Sequence, residues 1–187
     1  MSRIELVGIL NYTPDSFSDG GQYNTPEKAM VRTEQLFNEG ASMVDVGGES
    51  TRPGATPLTA DEEWARVGPL LELIIPGYTG SISYDTRHPE NVRRAAQVGA
   101  FMINDVTGFN NPAMQEVAAE LGYEVICSHL PEQAGLDIQS GHRNKSKQID
   151  SVEQVLDQSL ARRDELLVRG IQKEAIVLDP GIGFAKP

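Results

Sequence analysis

The sequence predicts an α/β fold of repeated βα units, a (β/α)8 barrel of which about six strands and five helices are present. Six short apolar runs alternate with amphipathic segments of helical period. Several runs are aliphatic throughout, which suits parallel strands covered on both faces. Every run also ends in polar side chains: Asn11; Glu49 with Thr51 and Arg52; Asp85; Asn104 and Asp105; His129; and Asp179. A doubly wound sheet gathers its binding groups at one switch point, whereas a barrel collects them from the C-terminal ends of many strands. The strand ends therefore favour the barrel.

The elements follow in order. The runs are Ile4–Asn11, Met43–Ser50, Ser81–Thr86, Phe101–Val106, Glu124–His129 and Ala175–Pro180. Between the first two, Thr25-Pro26 opens a helix that Gly40 closes after Leu36 and Phe37. Thr59 and Glu62 have the spacing of a capping box ahead of Trp64, Val67, Leu70, Leu71 and Ile74. His88-Pro89 and Asn111-Pro112 each put proline at a first helical position. Ser151 and Gln154 offer another box, with Val155, Leu156, Leu160 and Leu167 on the face expected to pack and Gly170 past the end. Residues 139–148 read as a solvated polar loop. The 187 residues suit one domain over 1–187. A complete barrel usually takes about 250 residues, so the sequence is expected to lack the C-terminal strands.

Composition narrows the function. Hydrophobic residues at 39% and charged residues at 23% are ordinary for a globular protein. A net charge of -11 argues against nucleic acid and against an anionic membrane as partners. It leaves room for an anionic small molecule, because local groups or a metal can override the global field. The single cysteine, Cys127, forms no internal disulfide, and no signal peptide opens the chain, so the expected compartment is the cytoplasm. Cys127 lies in an apolar run and reads as an inert core thiol.

The loops after the strands carry the chemistry. "NYTPDSFSDGGQY", from Asn11 to Tyr23, is long and without helical period, which marks a functional loop. "GGESTRPGA", from Gly47 to Ala55, pairs glycines that allow close backbone approach with a hydroxyl at Thr51 and a planar anion-gripping fork at Arg52. "LDPGIGFAKP" at 178–187 runs a strand into a glycine-rich loop with Asp179 at the junction. Taken singly, Asp85 and Asn104 fit a strand-end cap, and Asp179 fits a turn.

Taken together, "GILNYTPDSFSDGG", "VGGESTRPGA", "YDT", "IND" and "LDPGIGFAK", in this order and spacing, resemble the dihydropteroate synthase family, from about Val7 to the last residue. The resemblance implies a barrel with its active site at the C-terminal ends of the strands. The implied reaction condenses 6-hydroxymethyl-7,8-dihydropterin diphosphate with p-aminobenzoate to give 7,8-dihydropteroate and pyrophosphate, in folate biosynthesis. It implies pterin contacts from Asp85, Asn104 and Asp179, diphosphate contacts from Thr51 and Arg52, and a Mg2+ contact from Asn11. Phe17, Pro53 and Phe184 match positions that shape the p-aminobenzoate pocket, and the complete protein is expected to be a homodimer. The chemistry is consistent with these residue types: a carboxylate accepts two hydrogen bonds from a pterin edge at once, and an amide serves donors and acceptors alike.

The resemblance has departures. "CSHLPEQ" stands where the family has a methionine-histidine-methionine motif, so Ser128 and Leu130 replace the two methionines. His129 either caps its strand or touches ligand. Ala185 stands where glycine is usual, and the family's lysine-serine and arginine-x-histidine motifs are absent. Residues 1–187 alone are therefore expected to make no dihydropteroate and to associate through open strand edges. Two alternatives are a catalytically incomplete pterin-binding fragment or remnant, and a methyltetrahydrofolate-to-corrinoid methyltransferase-like protein. The diphosphate-type loops count against the second.

Overall fold

The computed structural model describes residues 4–13, 25–50, 56–130 and 151–182. All six strands and all five helices expected from the sequence are there: β1 Val7–Asn11, α1 Pro26–Asn38, β2 Met43–Gly47, α2 Ala60–Ile74, β3 Ile82–Asp85, α3 Pro89–Ala96, β4 Met102–Asp105, α4 Pro112–Leu121, β5 Val125–Ser128, α5 Val152–Val168 and β6 Ile176–Asp179. They fall into two compact units that divide between Met102 and Ile103. No helix among the described residues is long and apolar enough to cross a membrane.

In the first unit β1 pairs with β2 and β2 with β3, all parallel. Strand alternation sorts the side chains. Leu10, Val44, Val46, Ile82 and Tyr84 are buried, together with Val67, Leu70, Leu71 and Ile74 of α2. Burial of such a layer, at about 25 cal/mol per Å2, is the main force holding the unit. Strand coverage differs from the sequence expectation, however. Val7 and Ile9 are 48% and 66% exposed, so β1 is covered on one face only. Each strand is also shorter than its apolar run. Ile4 and Leu6, expected in β1, lie before it and are exposed.

The helix ends obey local chemistry. Thr25 caps α1 by accepting from Lys28 N at 3.4 Å. The expected box at α2 is complete: Thr59 Oγ1 accepts from Glu62 N at 3.3 Å, and Glu62 Oε2 accepts from Thr59 N at 2.8 Å. Pro89 and Pro112 open α3 and α4, and Asn111 Oδ1 accepts from Ala113 N at 3.0 Å.

In the second unit β4 pairs with β5 and β5 with β6, again parallel. α5 packs on β5 and β6. Its buried side departs from the expected stripe at one position: Val155, Leu160 and Leu167 are half-buried and Leu166 fully buried, whereas Leu156 is 54% exposed. Arg162, one turn before Leu166, donates to Glu165 Oε2 within the helix and to Asn110 Oδ1 outside it, and the Asn110 contact favours this rotation.

Candidate functional site

The first unit brings two predicted site residues into one row. Register places Asn11 beside Gly47 and Gly47 beside Asp85, all at the C-terminal ends of their strands. Residues paired across parallel strands share a face, so Asn11 and Asp85 stand on the same side, opposite Leu10, Val46 and Tyr84. Gly47 keeps them close: a Cβ there would lie 3.3 Å from Asp85 Oδ2. One step lower the row is Ile9, Asp45 and Ser83, in which Ser83 Oγ donates to Asp45 Oδ1.

Behind this row the loop stems are tied together. Arg87 Nε donates to Glu49 Oε2 at 2.9 Å, and its Nη2 donates to Glu49 Oε1 at 3.1 Å and to the Leu58 carbonyl at 2.9 Å. Glu49 Oε1 also accepts from Leu58 N at 3.1 Å, and Arg66 Nη1 donates to the Gly48 carbonyl at 2.7 Å. Residues on both sides of the 51–55 segment are thus fixed to each other. Deeper still, Glu63 is fully buried, and its Oε2 accepts from Tyr84 OH at 3.1 Å, Thr86 Oγ1 at 2.7 Å and Asn91 Nδ2 at 2.7 Å. Burial first, and then the Glu63 charge, drives the Tyr84 phenol well above its ordinary value, so it serves as a donor.

The second unit brings Asn104 and Asp179 to one face. Asn104 pairs with Ile126 and Ile126 with Val177, while Ser128 pairs with Asp179 one step further along. Asp179 Oδ2 accepts from Ser128 Oγ at 3.0 Å, and Oδ1 accepts from Gly181 N at 2.9 Å. His129 has structural partners. Its N–H donates to the Asp179 carbonyl at 2.8 Å, and its Nε2 meets Gln158 Oε1 at 3.0 Å.

Asp105, adjacent in sequence to Asn104, points to the other face and is fully buried. Its Oδ1 accepts from Thr107 N and Oγ1 at 2.8 and 2.7 Å, and its Oδ2 accepts from Phe109 N at 3.0 Å. It shapes the turn at Gly108, and burial pushes its carboxyl above the usual range. Cys127 is buried as expected. Burial, then the Asp105 charge, pushes its thiol up to about 12. A small cavity of about 70 Å3 lies against Cys127, Ser128, His129, Gln158 and Arg162.

Of the nine predicted site residues, Asn11, Asp85, Asn104 and Asp179 are placed, in two pairs. Phe17, Thr51, Arg52, Pro53 and Phe184 lie outside the described residues. Sequence reasoning missed the Glu49–Arg87 fork, although opposite charges at two neighbouring strand ends were a signal. It also missed Glu63, which falls four residues before Val67 on the apolar stripe of α2 and so had to be buried. Ser128, read as the loss of an apolar side chain, instead supplies a donor to Asp179.

Asn11 is exposed, and its amide oxygen suits a Mg2+ ion held mainly by water and phosphate oxygens. Among the described residues no three His, Cys, Asp or Glu gather to hold a metal by themselves.

Comparison with known proteins agrees with the fold. The profile of the family described as "Pterin binding enzyme" matches residues 7–187. The dihydropteroate synthase of Escherichia coli K12 is 40% identical over 186 residues, covering 100% of this chain and 64% of the relative. The dihydropteroate synthase of Xanthomonas albilineans, solved with 4-aminobenzoic acid, superposes with a TM-score of 0.83 at 38% identity, covering 99% of this chain and 64% of that one. That of Anaplasma phagocytophilum, solved with bound 6-hydroxymethylpterin-monophosphate, has a TM-score of 0.77 at 34% identity, covering 98% of this chain and 69% of that one. This chain thus spans somewhat under two thirds of the first two relatives. Six parallel strands alternating with five helices place it in the α/β barrel class of these relatives. On the match over residues 7–187, the chain belongs to the pterin-binding enzyme family.

Proposed function

We propose that this chain carries the pterin grip and part of the diphosphate grip of a dihydropteroate synthase. The observation that carries the reading is a carboxylate as the last strand residue in each unit, Asp85 in the first and Asp179 in the second. Support also comes from relatives solved with 4-aminobenzoic acid and with 6-hydroxymethylpterin-monophosphate. In this reading Asp85, Asn104 and Asp179 hold the pterin edge, and Thr51 and Arg52 hold the diphosphate. Phe17, Pro53 and Phe184 shape the p-aminobenzoate pocket.

The amine lone pair of p-aminobenzoate forms the new C–N bond at the exocyclic methylene. The C–O bond to the diphosphate breaks with its electrons leaving on pyrophosphate, and the amine proton passes to solvent. The aromatic amine is a nucleophile already, so the chain need not activate a serine or cysteine, consistent with the raised Cys127 thiol. Its task is orientation and charge: carboxylates fix the ring while Arg52 meets the phosphates. Asn11 is the residue that would hold Mg2+, which when bound offsets charge on the departing diphosphate. The protein works as a homodimer in the cytoplasm.

Calorimetry with 6-hydroxymethylpterin tests the pterin assignment. Asp179→Ala should abolish binding while the thermal melt stays within a few degrees of the parent. Undiminished affinity in that variant would overturn the reading.

A further inference from the structure

We infer that Ser128 is a positioning residue of the pterin grip, setting the orientation of the Asp179 carboxylate; this rests on the pterin reading above. An aspartate at a strand end can turn about its terminal torsion, which is broad and two-fold. Here each carboxylate oxygen has its own donor: Gly181 N on Oδ1 at 2.9 Å and Ser128 Oγ on Oδ2 at 3.0 Å. Two donors on different oxygens fix the plane of the group, whereas one would leave a hinge. An ionised carboxylate has about four acceptor directions, so these bonds leave acceptor capacity on both oxygens for paired ligand N–H groups.

Ser128 is itself well held. It is only 6% exposed and is the register partner of Asp179 in β6. The next residue reinforces the pairing, because His129 N donates to the Asp179 carbonyl at 2.8 Å. On the other side Gly108 comes so close that a Cβ there would run into the Ser128 carbonyl oxygen. The hydroxyl is thus presented from a fixed backbone. A methionine, which the motif resemblance places at this position, has no donor to offer. The orientation of Asp179 by a side chain is therefore a property of this sequence.

The test measures binding of 6-hydroxymethylpterin to the full 187-residue chain by calorimetry. S128A should weaken binding about tenfold, and S128T, which keeps the hydroxyl, should stay within about threefold of the parent. S128C preserves size but donates weakly, and should resemble S128A if the latter melts early. D179N should also cost a smaller factor in the S128A background than in the parent, because the two residues act as a unit. Parent-like binding by both S128A and S128C overturns the inference while leaving the pterin reading standing, as does independent multiplication of the S128A and D179N losses. A parent chain that is folded by circular dichroism yet binds no pterin overturns the underlying reading, and the inference with it.

Discussion

Arg87 meets Glu49 side-on, with Nε and Nη2 each 2.9–3.1 Å from a different carboxylate oxygen, and the same Nη2 holds the Leu58 carbonyl. Both side chains are mostly buried, at 19% and 15% exposed. One guanidinium thus ties β3 to both flanks of the 51–55 segment. Arg87→Ala leaves Glu49 partly buried without this partner and should cost about 2 kcal/mol in urea unfolding. Arg87→Lys keeps the charge but not the fork and should recover less than half of that loss. Equal stability of Arg87→Lys and the parent would mean that charge alone matters here.

Glu63 gathers three donors on one oxygen in a fully buried site. Glu63→Ala takes the acceptor from the Tyr84 and Thr86 hydroxyls and from one N–H of the Asn91 amide, and should destabilise by about 3 kcal/mol. Glu63→Gln keeps an acceptor but brings an amide N–H2 that needs partners, so its midpoint should fall between the two. Chemical denaturation followed by far-ultraviolet dichroism gives the ranking.

Gly108 has φ +69°, a left-handed conformation, and its missing Cβ is what lets the Ser128 carbonyl approach. Gly108→Ala combines backbone strain with overlap and should cost about 2 kcal/mol or more. Because it presses on Ser128, it should also weaken 6-hydroxymethylpterin binding. A stability loss with unchanged affinity would uncouple the turn from the ligand.

Cys127 makes a pH prediction. Its thiol is raised from about 9 to about 12 by burial and the Asp105 charge. The unfolded chain therefore releases this proton at lower pH than the folded one. The stability tied to the neutral thiol is whole below about pH 9 and is lost as pH climbs toward 12, by up to about 4 kcal/mol. Urea midpoints at pH 8 and 10.5 should diverge more in the parent than in Cys127→Ala. Iodoacetamide at pH 8 should label the thiol only at denaturing urea.

Asn11 is exposed at the end of β1. If it helps hold Mg2+ against a diphosphate, Asn11→Ala should weaken 6-hydroxymethylpterin diphosphate at least tenfold in magnesium. Plain 6-hydroxymethylpterin should change less than twofold. Equal losses for both ligands would assign Asn11 a structural role.

Much of this was legible in the sequence because it is written locally. Thr59 and Glu62 announce their box, Pro89 and Pro112 announce helix starts, and the polar ends of apolar runs announce Asn11, Asp85, Asn104 and Asp179. What stayed hidden depends on pairing across the chain. Nothing local tells that Arg87 reaches Glu49, 38 residues away, or that Ser128 meets Asp179, 51 residues on. The exposure of Leu156 on α5 was hidden for the same reason. Counting apolar residues could not weigh Arg162 reaching Asn110 against Leu156 seeking cover.

The strand alternation in the first unit has a practical corollary for laboratory evolution. Asn11, Asp45, Ser83 and Asp85 face one way, and their immediate neighbours Leu10, Val44, Val46, Ile82 and Tyr84 face the other. Ser83 is fully buried and bonded to Asp45, so only the strand-end letters can be randomised without editing those that keep the chain folded. A library confined to Asn11 and Asp85, with Gly47 left alone as the spacer beside Asp85, should return a high fraction of folded clones. The same number of changes spread over the intervening positions should return few. Ligand preference and foldability, though interleaved along the sequence, can drift on separate schedules.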